Sequence, residues 1–394
     1  MTRKILITLV LLIAAGLVFV VTVLPGQFEA STNVVTDEPL PAIRADTAKL
    51  HKRLAIADLH GDTLLWKRDL LDKADRGQID LPRLEAGNVA LQIFSSVSKT
   101  PRGQNYESNS DDTDNITLLA MAQLQPVRTW FSIFERSMWH ATKLERAAKA
   151  SKGRLMLIRA PADIDRLLAA RTSGKQVTGA LYSVEGLQNL EGKAQNLERL
   201  YGAGMRMAGL VHFFDNELAG SMHGETRGGL TPFGRRMIRA MEARGIIVDI
   251  AHSSHRAVAD ILAMARRPVV SSHGGVQAVC KVNRNLSDTE IRAVAATGGI
   301  IGIGYWDGAL CSTDPKQIAR SIAHVRDLVG IQHVALGSDF DGAVTTRFDT
   351  SQIAQVTQSL LDIGFGEGDI RAVMGGNALR IIKQGIEPLP GKAL

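Results

Sequence analysis

Cysteine is nearly absent: the chain has two, Cys280 and Cys311, in 394 residues. None lies near the N-terminus, which excludes a lipid-modified cysteine there. The two that exist are either a pair, as an oxidising compartment favours, or two buried thiols. Aromatic residues are also sparse at 5%, whereas glycine is abundant at 37 residues. That balance suits an α/β enzyme with tight turns and small-residue packing. No Lys/Arg-rich run and no basic–aromatic interleave accompanies the net charge of +6, so nucleic-acid binding is not expected. No internal repeat is visible.

Charge is missing altogether from Ile5 to Leu24, directly after Arg3 and Lys4. About 20 apolar residues cross a bilayer as a helix. A cleaved signal has a shorter apolar region and a small-x-small site, and no such site follows Leu24. The stretch therefore reads as a transmembrane anchor, with a cleaved signal as the alternative. Positive charge ahead of it predicts a cytoplasmic N-terminus and an exported remainder, on the periplasmic or extracellular face. The expected organisation is an anchor at 1–25, a linker at 26–48, a catalytic domain at 49–385 and a tail at 386–394.

What is present beyond residue 50 is a series of short apolar runs at 54–58, 89–97, 179–184, 207–213, 245–252, 268–273, 299–306 and 333–340. Near-continuous apolar character marks strands buried on both faces. Amphipathic stretches such as TPFGRRMIRAMEARG and DTEIRAVAATG lie between them. Eight alternating units predict a (β/α)8 TIM-type barrel, with a doubly wound open sheet as runner-up. A polar loop at 99–113 and a helical region over roughly 116–170 form an insertion expected to cover part of the barrel mouth.

The C-terminal strand ends face the active site in a barrel. Metal-ligand residues stand at four of them: His60 and Asp62 in ADLHGD, Glu185 in YSVEG, His252 in VDIAH and His273 in VVSSH. His60 and Asp62 are two apart and point the same way on an extended strand. Glu185 has two oxygens with which to bridge two metals. Mixed His and carboxylate ligation suits zinc, with manganese or cobalt as alternatives. Two such ions lower the pKa of a shared water, which makes the chain a hydrolase candidate. On the same rim, His212 is placed to polarise a carbonyl, Arg284 to clamp a carboxylate, and Asp339 or Asp341 to act as acid/base. His223, His255 and His324 read as surface or supporting residues.

The segments DLHGDTL, DLPRLEAGNVALQIFS, SVEG, HFFDN, VDIAHSS, SSHGG, RNLSD, GSDFDG and GGNALRI, in this order, resemble the membrane (renal) dipeptidase family of metallopeptidases. The resemblance runs from about His51 to Arg380 and is loose over 99–170, where side-chain pockets are built. It implies two zinc ions, one on His60 and Asp62, the other on His252 and His273, with Glu185 bridging. It implies Asp339 as acid/base, His212 at the scissile carbonyl and Arg284 at the substrate carboxylate. It also implies a Cys280–Cys311 disulfide, cleavage of dipeptides to free amino acids, and tolerance of a D-residue at the C-terminal side. A homodimer is carried as a candidate assembly. The rival expectations are a lactonase or N-acyl amino acid deacylase on the same barrel, or a membrane-tethered binding protein without catalysis.

Overall fold

The computed structural model describes residues 2–389. Eight parallel strands close into a barrel: β1 (Ile56–Asp58), β2 (Val89–Phe94), β3 (Thr178–Val184), β4 (Met205–Gly209), β5 (Ile247–Asp249), β6 (Val270–Ser271), β7 (Ile300–Ile303) and β8 (Val334–Leu336). Pairing runs in sequence order from β3 to β8, then to β1 and β2. The pairing of Leu91–Phe94 with Gly179–Tyr182 joins β2 to β3 and closes the ring, which excludes the open sheet. Every residue of these strands is buried, as their apolar runs require.

Apart from β3, the strands are shorter than the apolar runs that mark them. The run at 245–252 holds only Ile247–Asp249 as strand, and the remainder turns over the barrel rim. This shortening matters, because it puts the ligand-type residues on tight turns beyond the strands.

Between strands the chain follows its own start and stop signals. Thr231 caps helix Pro232–Arg244 by accepting from Gly234 N, and Gly245 ends it at φ 71°, where a side chain is disfavoured. Ser287 and Glu290 form a reciprocal capping box on helix Asp288–Ala296. Near the C-terminus, Gly375 lies so close to the Ala55 carbonyl that any Cβ would overlap it. Asn377 Nδ2 donates to Ile331 O at 2.7 Å and Val334 O at 2.9 Å. The GGNALRI segment thus ties the final helix, Asn377–Gly385, to the barrel beside β1 and β8.

Two expectations need correction. The helical region at 116–170 is interrupted by a strand, Leu155–Leu157, which pairs with the start of β3. The stretch 26–48 is not free linker over its whole length: Leu24–Thr32 is helical, and Val34–Val35 pairs with Thr345–Thr346. Polar residues suggested a solvated segment, but Glu29 is buried in ion pairs with Arg68 and Arg76. Of the expected tail, 390–394 lies outside the described residues. Residues 3–20 of helix Thr2–Thr22 are exposed, and the helical stretch from Arg3 is long and apolar enough to cross a membrane.

Candidate metal centre and active site

The turns beyond β1 and β5 are each held by a buried carboxylate. Asp58, at the end of β1, accepts from His60 N at 3.0 Å and Ser338 N at 3.1 Å. Asp249, at the end of β5, accepts from Ala251 N at 3.0 Å and Ser272 N at 2.9 Å. Its second oxygen takes the Ser272 hydroxyl at 2.5 Å, and that hydroxyl lies 2.8 Å from His273 Nδ1. With the Ser272 proton directed at Asp249, the hydroxyl oxygen accepts from His273 Nδ1–H. The Nε2 lone pair of His273 is then free to bind a cation. Backbone strain is concentrated here as well. His252, Asp339, Asp341 and Ala343 have φ of 64°, 61°, 64° and 60°, in the left-handed region that non-glycine residues avoid.

These turns bring the expected residues to one place. Glu185 Oε1 lies 2.9 Å from His252 Nε2, 3.3 Å from His273 Nε2 and 3.6 Å from His60 Nε2. His60 Nε2 is 3.3 Å from Asp62 Oδ2 and 3.7 Å from Asp339 Oδ1. His252 and His273 present their Nε2 atoms to each other at 2.9 Å. Glu185 joins two groups whose donor atoms lie within 4.8 Å of one another: His60, Asp62 and Glu185, and Glu185, His212 and His252. A third group links His60, Asp249 and His273, but Asp249 is already occupied by the Ser272 contacts.

The donor set fits divalent cations on its own chemistry. Burial, reinforced by Asp62, holds the Glu185 carboxyl well above its usual range. Burial holds His252 and His273 well below theirs, so both imidazoles are neutral. At His60 burial works downward, but Asp62, Glu185 and Asp339 outweigh it and push the imidazole up to about 10. Asp62 Oδ1 and Glu185 Oε2 are buried with no hydrogen-bond partner among the described residues. Neutral imidazoles and unpartnered carboxylate oxygens buried at one point have the donor chemistry of a divalent-cation site.

The remaining residues ring this cluster. Burial, then the Asp62 charge, pushes Asp339 up to about 8. Burial and the neighbouring His223 hold His212 down to about 3, so it is neutral, 3.4 Å from Glu185 Oε2. Arg284 is buried, donates to His273 O at 2.8 Å and leaves Nε without a partner among the described residues. Its guanidinium lies 5.6 Å from the Trp306 ring centre. Cys280 and Cys311 form a disulfide. Asp341 does not reach the cluster: it accepts from Gln78 N at 2.6 Å and pairs with Arg68, holding the loop.

All eight candidate residues are buried at this one mouth, and Asp62, Glu185, His212, His252, Arg284 and Asp339 line a cavity of about 360 Å³. The loop 99–113 and helix Asn115–Ala122 supply further lining, as the position of the insertion suggested. Sequence reasoning missed Asp58, Asp249 and Ser272, although each carboxylate ends a strand and sits two or three residues before a ligand-type histidine. It also missed Tyr106, whose hydroxyl accepts from Trp306 Nε1 at 3.0 Å. His223 is fully buried, stacked on Phe213 at 4.6 Å, and is not a surface residue. His255 and His324 lie away from the mouth, paired with Glu290 and Asp288.

Comparison with known proteins agrees with this geometry. The family described as "Membrane dipeptidase (Peptidase family M19)" matches residues 44–387. Dipeptidase aclJ of Aspergillus oryzae is 27% identical over 351 residues, covering 84% of this chain and 78% of the relative. Dipeptidase tcpJ of Claviceps purpurea is 28% identical over 321 residues, covering 78% and 69%. Among solved structures, the probable dipeptidase PvdM of Pseudomonas aeruginosa shares the fold at a TM-score of 0.72 and 20% identity, covering 87% of this chain and 98% of that one. A metallo peptidase of Rhodobacter sphaeroides, liganded with a phosphinate mimic of L-Ala-D-Ala, does so at 0.66 and 21%, covering 84% and 99%. The protein belongs to the membrane dipeptidase family, peptidase family M19.

Proposed function

We propose that this protein hydrolyses dipeptides to free amino acids at a binuclear metal centre, zinc being the native metal and manganese or cobalt the alternatives. The observation that carries the proposal is the convergence of Glu185, three histidines and Asp62 beside Asp339, His212 and Arg284 in a cavity sized for a small ligand. His60 and Asp62 would hold one ion, His252 and His273 the other, with Glu185 shared. Divalent metal there supplies Lewis-acid activation of water and of the scissile carbonyl.

The chain's own groups do the rest. The free edge of Arg284 receives the substrate carboxylate, and burial strengthens that pairing. Neutral His212 donates to the carbonyl oxygen as negative charge develops on it. Asp339, poised near neutral pH, takes a proton from the attacking water and returns it to the leaving amine. The phosphinate bound to the Rhodobacter relative mimics a C-terminal D-residue, which supports the same tolerance here. Arg3 and Lys4 ahead of the apolar helix, together with a disulfide, support a membrane-tethered enzyme with an exported catalytic domain.

Metal-loaded wild-type protein and the Asp339→Asn variant should be assayed on dipeptides, lactones and N-acyl amino acids. Wild type is expected to cleave dipeptides, including those with a C-terminal D-residue. The variant should lose about 10²–10⁴-fold in kcat with its metal retained. Turnover of lactones or acylated amino acids in place of dipeptides would overturn the substrate assignment.

A further inference from the structure

The helix Leu24–Thr32 continues directly from the apolar N-terminal helix, yet it reaches the active site. Phe28 on this helix lines the same cavity as Glu185, Arg284 and Asp339, with its ring centre 6.1 Å from that of Trp66. The helix is fixed in place. Buried Glu29 pairs with Arg68 and with Arg76, the latter at 2.9 Å, and Arg68 pairs in turn with Asp341. Asn33 Oδ1 accepts from Ala343 N at 2.8 Å, and Val34 N donates to Val344 O at 3.1 Å. These contacts hold Phe28 against the loop that follows Asp339.

The cavity has two chemically different ends. Arg284 lies on the connection after β6. Leu65, Trp66, Val97, Ile116 and Leu119 form a separate apolar cluster on the connections after β1 and β2. In the closed strand order β2 is diametrically opposite β6. A dipeptide whose carboxylate is held by Arg284 therefore directs its N-terminal residue towards the apolar end. Phe28 caps that end.

We infer that the helix following the apolar span is a wall of the active site, and that Phe28 on it selects dipeptides with a large apolar N-terminal residue. The inference rests on the dipeptidase reading and adds a specificity determinant contributed by the membrane-proximal segment. Removing the Phe28 ring takes away apolar surface that a Leu or Phe side chain covers on binding and that a glycine cannot reach.

The test uses the full chain in detergent, metal-loaded, with Leu-Ala, Phe-Ala and Gly-Ala as substrates. For Phe28→Ala the ratio of kcat/KM for Leu-Ala to that for Gly-Ala should fall about three- to tenfold, through KM rather than kcat. Phe28→Trp should lower the relative rate on Phe-Ala by filling the space. Thermal midpoint and metal content confirm that both variants are folded; Phe28 is 47% exposed, so truncation leaves no internal void. An unchanged ratio in Phe28→Ala, or a wild-type preference for charged N-terminal residues, overturns the inference and leaves the dipeptidase reading standing. A wild-type protein that cleaves none of the three and no dipeptide with a charged N-terminal residue defeats both.

Discussion

His140 shows how a single side chain sets a pH limit away from the catalytic centre. It is fully buried on helix Ile133–Ala150, with Nδ1 2.8 Å from the Ser96 hydroxyl. Burial, followed by the charges of Lys143 and Arg136, holds its pKa well below the ordinary value. In the unfolded chain the imidazole protonates near 6.5. Below about pH 6.5 the unfolded state thus binds more protons, so stability falls as pH falls and is unaffected above that point. Melting curves from pH 7.5 to 5 should show a smaller loss of Tm for His140→Gln than for wild type. Parallel curves would exclude this role. The comparison also removes the contribution of the histidines in the buried cluster, which is common to both proteins. At this scale the sequence was most legible for residues whose chemistry is distinctive, such as His60, Glu185 and His273. Asp58 and Ser272 escaped notice because their work is to hold backbone turns and another side chain, and no spacing rule reports it.

Among the elements, the connection between β6 and β8 carries Arg284, the residue proposed to receive the substrate carboxylate. The Cys280–Cys311 bridge closes a loop with a sequence separation of 31, and Arg284 and Trp306 both lie inside it. In the chain-entropy view a loop of this length stabilises the fold by about 3–4 kcal/mol. The bridge also restrains the turn that presents Arg284. Replacing both cysteines by serine should lower unfolding free energy by roughly that amount and raise KM more than it lowers kcat. Equal KM values in the two proteins would show that Arg284 is positioned without the bridge. The eight barrel strands were readable because a strand covered on both faces is apolar throughout, and no polar alternation competes with that signal. Their ends were not, because residues such as Ile250 and Ala251 stay apolar after the strand stops. The short strand Leu155–Leu157 sits between two long helices and is too brief to break their pattern. Helix Leu24–Thr32 was read as linker because the polar residue that docks it, Glu29, is satisfied by arginines far along the chain.

At the scale of the whole molecule, the barrel is a device for convergence. Residues from 28 to 344 meet around one cavity, and the connection after each strand is free to carry a different chemical task. The polar end holds the buried cluster of histidines and carboxylates, Arg284 and Asp339. The apolar end is completed by a segment that leads straight to the membrane-type helix. On the proposals above, tethering and substrate choice share one continuous stretch of chain. The claim on which the rest depends is that the buried donor cluster holds two divalent ions and that turnover requires them. The direct measurement is metal content per chain, paired with dipeptide hydrolysis, for full-length protein depleted by chelation and then titrated with zinc. The account predicts no turnover in the depleted protein and recovery that saturates at two zinc ions per chain. Full activity at zero bound metal would contradict it.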